Sequence, residues 1–440
     1  MPNVAFADVT TLRVGGPIGR LTDAASPAEL IAAIPAPGDP AAILLGAGSN
    51  TVPPDAGAAH VIRPRWADVT VHADDDGAIL VGVGAGAVWA ELAERAVAEG
   101  WSGFEALVGI PGSVGAAPVQ NLGAYGPEVC ELVASVTVWD RSAGVVRRLG
   151  PEDLRFDYRT SALKTVRPQR AARPRPAAAA NGPGSDAGPD ALAGWVPARG
   201  PASDAGPAAS AGWVPARGPM TRLGKSGTLT PPAPAGRVPT RAPASDAGPA
   251  VPASPSPPAP LFPSFPELVV LSVTFRTRRS ALSAPVAYPE LAALLGVNLG
   301  DRTRPEEVAD AVLALRRAKG MLLDPADRDT WSVGSYFTNP VIAAERAVAL
   351  PSDAPRFGAG RDSAGNRLVK VSAAWLIAHA GIACGWGLNA RATTSTKHVL
   401  ALTNRGGASA GDIRELGAVI VRRVEAAFGI ALVSEAIVID

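Results

Sequence analysis

The sequence predicts an α+β protein in two ordered parts, interrupted by a long segment of different character. Three observations carry this. Short β-branched runs alternate with glycine turns up to about residue 165; amphipathic helical stripes predominate after residue 300; and 166–264 holds 22 of the chain's 43 prolines. At 440 residues the chain is long enough for two or three cores.

In the first part, Ala41–Leu45 reads as a buried strand that ends in the loop Gly46-Ala47-Gly48-Ser49-Asn50. Ile79–Val83 reads as another strand, followed by Gly84-Ala85-Gly86 and a helix over Val88–Glu99 with Trp89, Leu92, Ala96 and Val97 on one side. Val136–Trp139 predicts a strand that turns through Arg141–Gly144. Residues 166–264 contain two copies of AGWVPARGP, at 193–201 and 211–219, and three of SDAGP. Aromatic residues are nearly absent, so the segment cannot bury enough apolar area to offset chain ordering, and a disordered insertion is expected. Order is expected to resume with the core strand Leu268–Arg276. A helix over Arg304–Lys319 follows, then the strand-like Ser335–Val341, a helix over Ser372–Ala380 and a strand over Val399–Thr403. A last helix begins near the cap-like Ser409, and Ile430–Ile439 reads as a terminal strand that returns to the first domain.

The net charge of +1 gives no reason to expect a nucleic-acid partner. Ten Arg/Lys against four Asp within 166–264 make that segment +6 and leave the rest at −5. Cys130 and Cys384 have neither disulfide-framework nor zinc spacing, which fits a reducing cytosol, although two thiols can pair. No run of about 20 apolar residues suggests a membrane span, and the N-terminus lacks the pattern of a signal peptide. His60, His72, His379 and His398 show no metal-ligand spacing, so no metal is expected.

The most informative stretch is Ile110–Glu128, IPGSVGAAPVQNLGAYGPE, with four glycines and three prolines. Poor in bulk and free in its backbone, it suits a wall where main-chain amides approach a flat or anionic ligand. Gly46–Asn50 has the same quality at a strand-to-loop junction. Pro53-Pro54 follow at once and disfavour the helix that a dinucleotide fingerprint would open.

IPGSVGAAPVQNLGAYG closely resembles the flavin-binding core of the UDP-N-acetylenolpyruvoylglucosamine reductase family. TTLRVGGP (10–17), LLGAGSNTVPPDAG (44–57, with Val52, Asp55 and Gly57), FDYRTSALK (156–164) and SVGSYFTNPVI (332–342) follow that family's order. So do VKVSAAWLIAHAG (369–381), KHVLALTNRGGASAGDI (397–413) and LVSEAIVI (432–439); the resemblance covers almost everything outside 166–264 in ordered blocks. Thr51 and Pro53 depart from the usual apolar choices.

The resemblance implies an FAD domain of the vanillyl-alcohol-oxidase type over 8–165 and 265–300, split by the insertion. It further implies a substrate-binding domain over 301–429 and a terminal strand, 430–440, carrying a catalytic carboxylate. It implies FAD, with NADPH as reductant, and hydride delivery to the enolpyruvyl ether of UDP-N-acetylglucosamine in peptidoglycan precursor synthesis. The cofactor residues would be Gly46, Gly48, Ser49, Asn50, Ile110, Pro111, Gly112, Ser113, Gly115, Ala116, Gln120, Asn121, Gly123, Ala124 and Tyr125. Negative charge develops beside the substrate carboxylate, so a cation and a proton donor are needed. Arg159, with its planar fork, matches the cation; Ser335 matches the proton donor; Glu435 matches the carboxylate, or is an edge-strand charge. Arg316 and Lys319 match a diphosphate-binding pair, or form one solvated helix face. Tyr288 matches a tyrosine that closes over the diphosphate in one subtype of the family; the resemblance further implies Asn339 as a diphosphate or nicotinamide contact and His398 at the border of the substrate site. A cytosolic monomer is expected. The alternatives are another flavin oxidoreductase of this fold, such as a carbohydrate oxidase, or a scaffold on a decayed flavin fold.

Overall fold

A computed structural model describes residues 4–35, 42–74, 76–164 and 265–439. The insertion expected over 166–264 lies outside the described residues.

The strand Leu268–Thr277 is the middle of a five-stranded antiparallel sheet. Ile79–Gly84 and then Val69–Ala73 lie on one side of it, Val133–Asp140 and then Val145–Leu149 on the other. A strand that follows 166–264 in sequence thus completes the core of the part that precedes it. Val269, Leu271, Val273 and Phe275 are buried there. The helix Trp89–Ala98 covers this sheet with Trp89, Leu92 and Ala96, and Phe275 meets Trp89 and Phe104 edge-on at 5.9 and 5.6 Å. Two of the buried indoles have acceptors: Trp89 donates to the Leu107 carbonyl and Trp66 to that of Leu271, both at 3.0 Å, whereas the buried Trp101 N–H has none among the described residues.

A smaller parallel sheet joins Ile18–Ala24, Ala58–Pro64 and Ala42–Leu44. The short helix Pro27–Ala33, capped by Ser26, connects its first strand towards its second. Farther on, the helix Pro305–Ala318 buries Val308 and Val312 in a cluster with Ala93, Val108 and Leu291.

The C-terminal part has two three-stranded antiparallel sheets. One joins Ser332–Ser335, Ala401–Asn404 and Ala392–Thr394; the other joins Val341–Ala343, Arg367–Val371 and Arg356–Arg361. The continuous strand expected over Ser335–Val341 is therefore two strands in different sheets, parted at Asn339-Pro340, where proline cannot donate to a ladder. The helices Ala373–His379 and Ala410–Phe428 start at Ser372 and Ser409, whose hydroxyls accept from the Trp375 and Asp412 amides. The terminal strand does return to the first domain, where Ile437–Val438 pairs in parallel with Thr51–Val52, but it is two residues long rather than ten.

The two parts interlock. Leu12, Val14 and Val52 lie in one core with Val333, Phe337, Leu402 and Ile413, so the first segment contributes to the C-terminal core. Asn404 is buried and donates to the Leu12 and Arg13 carbonyls, and Thr11 donates to that of Ser332. Asp55 accepts from the Ala410 and Gly411 amides at 2.7 and 2.8 Å, capping the last helix from across the boundary. A Cβ on Gly16 would stand 2.1 Å from the Asp55 carbonyl oxygen, which is why this turn takes glycine.

Candidate active site

A cavity of about 440 Å³ opens between the small parallel sheet, the Ile110–Glu128 stretch and the C-terminal tail. Gly46, Gly48, Ser49, Asn50, Pro111, Gly112, Ser113, Gly115, Ala116 and Gln120 line it, with Lys164, Phe265 and Ile437 among others. Ser49 Oγ donates to the Pro111 carbonyl at 2.8 Å and locks the two glycine-rich walls together. Gly48 has φ +65°, and a Cβ there would stand 2.4 Å from the Val9 carbonyl oxygen. Among the described residues, the amides of Gly46 through Asn50 donate to no protein acceptor. Consecutive free N–H groups on a loop form a nest for anionic oxygens, and such groups are costly unless something accepts from them. The cradle fits the diphosphate of a dinucleotide cofactor. Asn50 also bonds Gln120 and reaches the Glu435 carbonyl at 3.3 Å, tying the cavity to the terminal segment.

Five residues expected at the cofactor do not line this cavity. Ile110 and Ala124 pack against the first core. Asn121 is buried and spends its side chain on Glu128, the Asp157 carbonyl and the Cys130 amide. Gly123 makes room for an arginine: a Cβ there would lie 2.9 Å from Arg159 Nη1. Tyr125 meets Tyr288 edge-on at 5.4 Å and belongs to the cluster around Lys319 described below.

Arg159 sits beyond the cavity's Asn50–Gln120 edge with φ +55°, a left-handed conformation uncommon outside glycine. Its Nε lies 3.2 Å from Glu435, Nη1 donates to the Asn121 carbonyl at 3.0 Å and stands 3.6 Å from Glu128, and Nη2 donates to the Gly123 carbonyl at 2.6 Å. The open bidentate fork that the sequence suggests is therefore largely committed to the protein, and Arg159 acts as a fixed positive charge. Burial pushes the Glu435 carboxyl above its usual range, against the pull of Arg159 and Lys164. The Glu435 amide donates to the Tyr336 carbonyl at 2.8 Å, which brings Glu435 beside the strand that ends in Ser335. Ser335 is half-buried, and its hydroxyl bonds no other described residue. Gly334 before it, at φ +73°, has open space where a Cβ would lie.

Three more groups border this constellation that motif reading did not single out. Lys164 donates to the Arg159 carbonyl at 3.1 Å, Glu128 pairs with Arg159, and Lys370 stands 4.5 Å from the Tyr158 ring centre. Lys164 and Lys370 fall inside the quoted stretches FDYRTSALK and VKVSAAWLIAHAG, so the signal lay in the sequence without a chemical role attached. Asn339 accepts from the Ala373 amide at 2.8 Å and lies beside the Tyr158 hydroxyl. It stands with the Arg159 group, not with Arg316.

Tyr288, Arg316, Lys319 and His398 come together with Tyr125 and Glu290. Arg316 is 6% exposed; it donates to the Gly109 and Met321 carbonyls and has no carboxylate within ion-pair distance among the described residues. Burial lowers its pKa, so it is not a solvated helix face. Lys319 pairs with Glu290 at 2.5 Å. Burial, helped by Lys319, holds the His398 imidazole down to about 4, and burial raises the Tyr125 hydroxyl to about 12. Both are neutral near pH 7.

A family model described as UDP-N-acetylenolpyruvoylglucosamine reductase, C-terminal domain, matches residues 324–439, and one described as FAD binding domain matches 21–150. The UDP-N-acetylenolpyruvoylglucosamine reductase of Thermobifida fusca (strain YX) is 36% identical over 446 residues, 99% of this chain and 97% of the relative. That of Mycolicibacterium gilvum (strain PYR-GCK) is 35% identical, covering 99% and 95%. A crystal structure of the Thermus caldophilus reductase aligns with 100% of this chain and 98% of its own. At 21% identity and a TM-score of 0.48, it is too loose a likeness to carry weight.

Proposed function

The chain belongs to the UDP-N-acetylenolpyruvoylglucosamine reductase family, and on that premise we propose how its residues divide the work. The protein is an FAD-dependent oxidoreductase that uses NADPH to reduce the enolpyruvyl ether of UDP-N-acetylglucosamine to UDP-N-acetylmuramate, a step of peptidoglycan precursor synthesis. Bound FAD supplies a two-electron carrier that takes hydride from NADPH and passes it to the vinyl methylene.

The amides of Gly46–Asn50 and the wall Pro111–Gln120 hold the cofactor, with Ser49 keeping the two loops in register. Hydride arriving at the methylene drives charge onto the neighbouring carbon and its carboxylate. Arg159 stabilises that charge from a position fixed by two carbonyls and two carboxylates. Glu435 orients Arg159 through Nε. Ser335, with no competing hydrogen bond among the described residues, gives its proton to the carbanionic carbon. Arg316 is a buried cation without a carboxylate counter-ion among the described residues, which suits the substrate diphosphate; Tyr288 and Lys319 flank it, and neutral His398 adds a hydrogen-bonding edge. The proposed division keeps an FAD domain over 8–165 and 265–300 and a substrate-binding domain over 301–429, with Leu12, Val14 and Val52 packing into the C-terminal core. The free thiols Cys130 and Cys384 support a cytosolic enzyme.

The observation that carries this reading is the Arg159–Glu435 pair at the edge of a glycine-walled cavity. Its test is stoichiometry. NADPH consumed should equal UDP-N-acetylmuramate formed, with no oxygen uptake. Steady oxidation of NADPH by oxygen at the same rate without the sugar nucleotide would favour an oxidase instead.

A further inference from the structure

The cavity walls are uncharged but for one residue: among the described residues that line it, only Lys164 is ionisable. Leu163, Phe265, Pro266 and Val270 line the same cavity, so water does not dominate its surroundings. The ammonium is anchored on the Arg159 carbonyl at 3.1 Å and has no carboxylate within ion-pair distance among the described residues. Burial pulls its pKa down, with the Glu435 carboxylate opposing. A half-buried ammonium held this way costs stability unless a negative charge arrives to meet it. Arg159 differs, because Glu435 and Glu128 already balance it and it does not line the cavity.

Hydride transfer from NADPH to flavin adds two electrons and one proton, so the ring system gains one negative charge while the nicotinamide becomes cationic and leaves. That charge develops in a cavity whose walls offer one cation among the described residues. We propose that Lys164 is the cofactor-facing cation of this enzyme, stabilising the reduced, anionic flavin and raising its reduction potential. The inference rests on the FAD reading above and deepens it. Nearby charge is one of the few levers a protein has on a flavin's electronics. The anchor on Arg159 further implies that Lys164 links the cofactor end of the site to the substrate end.

The test is the midpoint potential of the full-length holoenzyme, by equilibration with a reference dye, in wild type, Lys164→Met and Lys164→Arg. Flavin content and oxidised-FAD affinity are measured beside it. Lys164→Met should bind oxidised FAD within a few-fold of wild type but disfavour reduction at least tenfold, about 30 mV for a two-electron couple. Lys164→Arg should restore most of the shift. An unchanged potential in flavin-loaded Lys164→Met would overturn the proposal and leave Lys164 as a prop for the Arg159 carbonyl. Should Lys164→Met fail to load, Lys164→Gln keeps a donor for that carbonyl and is judged by the same criterion. Wild-type protein that took up no flavin would sink the FAD reading itself, a different result from a flavin-loaded variant with an unmoved potential.

Discussion

Ser335→Ala separates chemistry from architecture, because the hydroxyl it removes holds nothing together. Ser335 Oγ has no hydrogen-bond partner among the described residues, and the strand pairing of Ser335 with Ala401 is through the backbone. Loss of a half-buried, unpartnered hydroxyl should change stability by no more than about 0.5 kcal/mol. FAD content should not change either, since Ser335 does not line the cofactor cavity. Loss of a positioned proton donor, by contrast, costs about 100- to 10,000-fold in rate, or about 3–5 kcal/mol of barrier. Stopped-flow spectrophotometry resolves the two half-reactions by the flavin's absorbance. Reduction by NADPH should stay within about two-fold of wild type, and reoxidation by the enolpyruvyl substrate should slow at least about 100-fold. Equal slowing of both half-reactions, or reoxidation at the wild-type rate, would refute the assignment.

Arg159→Lys keeps one charge but cannot reproduce contacts to Asn121, Gly123, Glu128 and Glu435 at once, so kcat should fall at least about 100-fold while FAD remains bound; steady-state kinetics with flavin quantitation checks this. Gly48→Ala puts a side chain at φ +65° with its Cβ 2.4 Å from a backbone oxygen. It should cost at least about 2 kcal/mol in urea unfolding and weaken FAD binding measured by fluorescence quenching. Stability should also depend on pH. With its folded pKa about 4, below the unfolded value of 6.5, His398 favours the folded state fully only above the unfolded pKa. That stability is lost as pH falls towards the folded pKa, by about 2 kcal/mol between pH 7 and pH 5. The unfolding free energy of wild type, from urea curves, should fall by roughly that amount relative to His398→Gln over this range.

Much of this molecule was legible because its motifs bind backbone rather than side chains. The Gly46–Asn50 and Pro111–Gln120 stretches, singled out for low bulk and conformational freedom, line one cavity, because those qualities are written directly in residue type. The central strand Leu268–Thr277 was likewise readable as a buried apolar run, although its place between Ile79–Gly84 and Val133–Asp140 is long-range pairing that no local pattern encodes. Asn121 and Gly123 look like cofactor residues in a line of sequence, yet one ties its own loop and the other clears space for Arg159. Only the fold tells a glycine that admits a ligand from one that admits a neighbouring side chain. Asp55 shows the same limit from the other side: it sits in a cofactor-loop motif and caps a helix more than 350 residues later. The terminal strand is shorter than the apolar run suggests because that run signals burial, not pairing: Leu432 and Ala436 are buried, while Val433 and Glu435 bond Thr338 and Tyr336 through an isolated bridge at Ser434.

The most direct test of the account is the visible absorption spectrum of the purified protein, recorded anaerobically before and after NADPH and again after the enolpyruvyl sugar nucleotide. The account predicts a yellow protein with one FAD per chain, bleached by NADPH and restored to the oxidised spectrum by one equivalent of the substrate, with UDP-N-acetylmuramate as product. A colourless protein that takes up no FAD, or a bleached flavin that oxygen restores and the substrate does not, would contradict it.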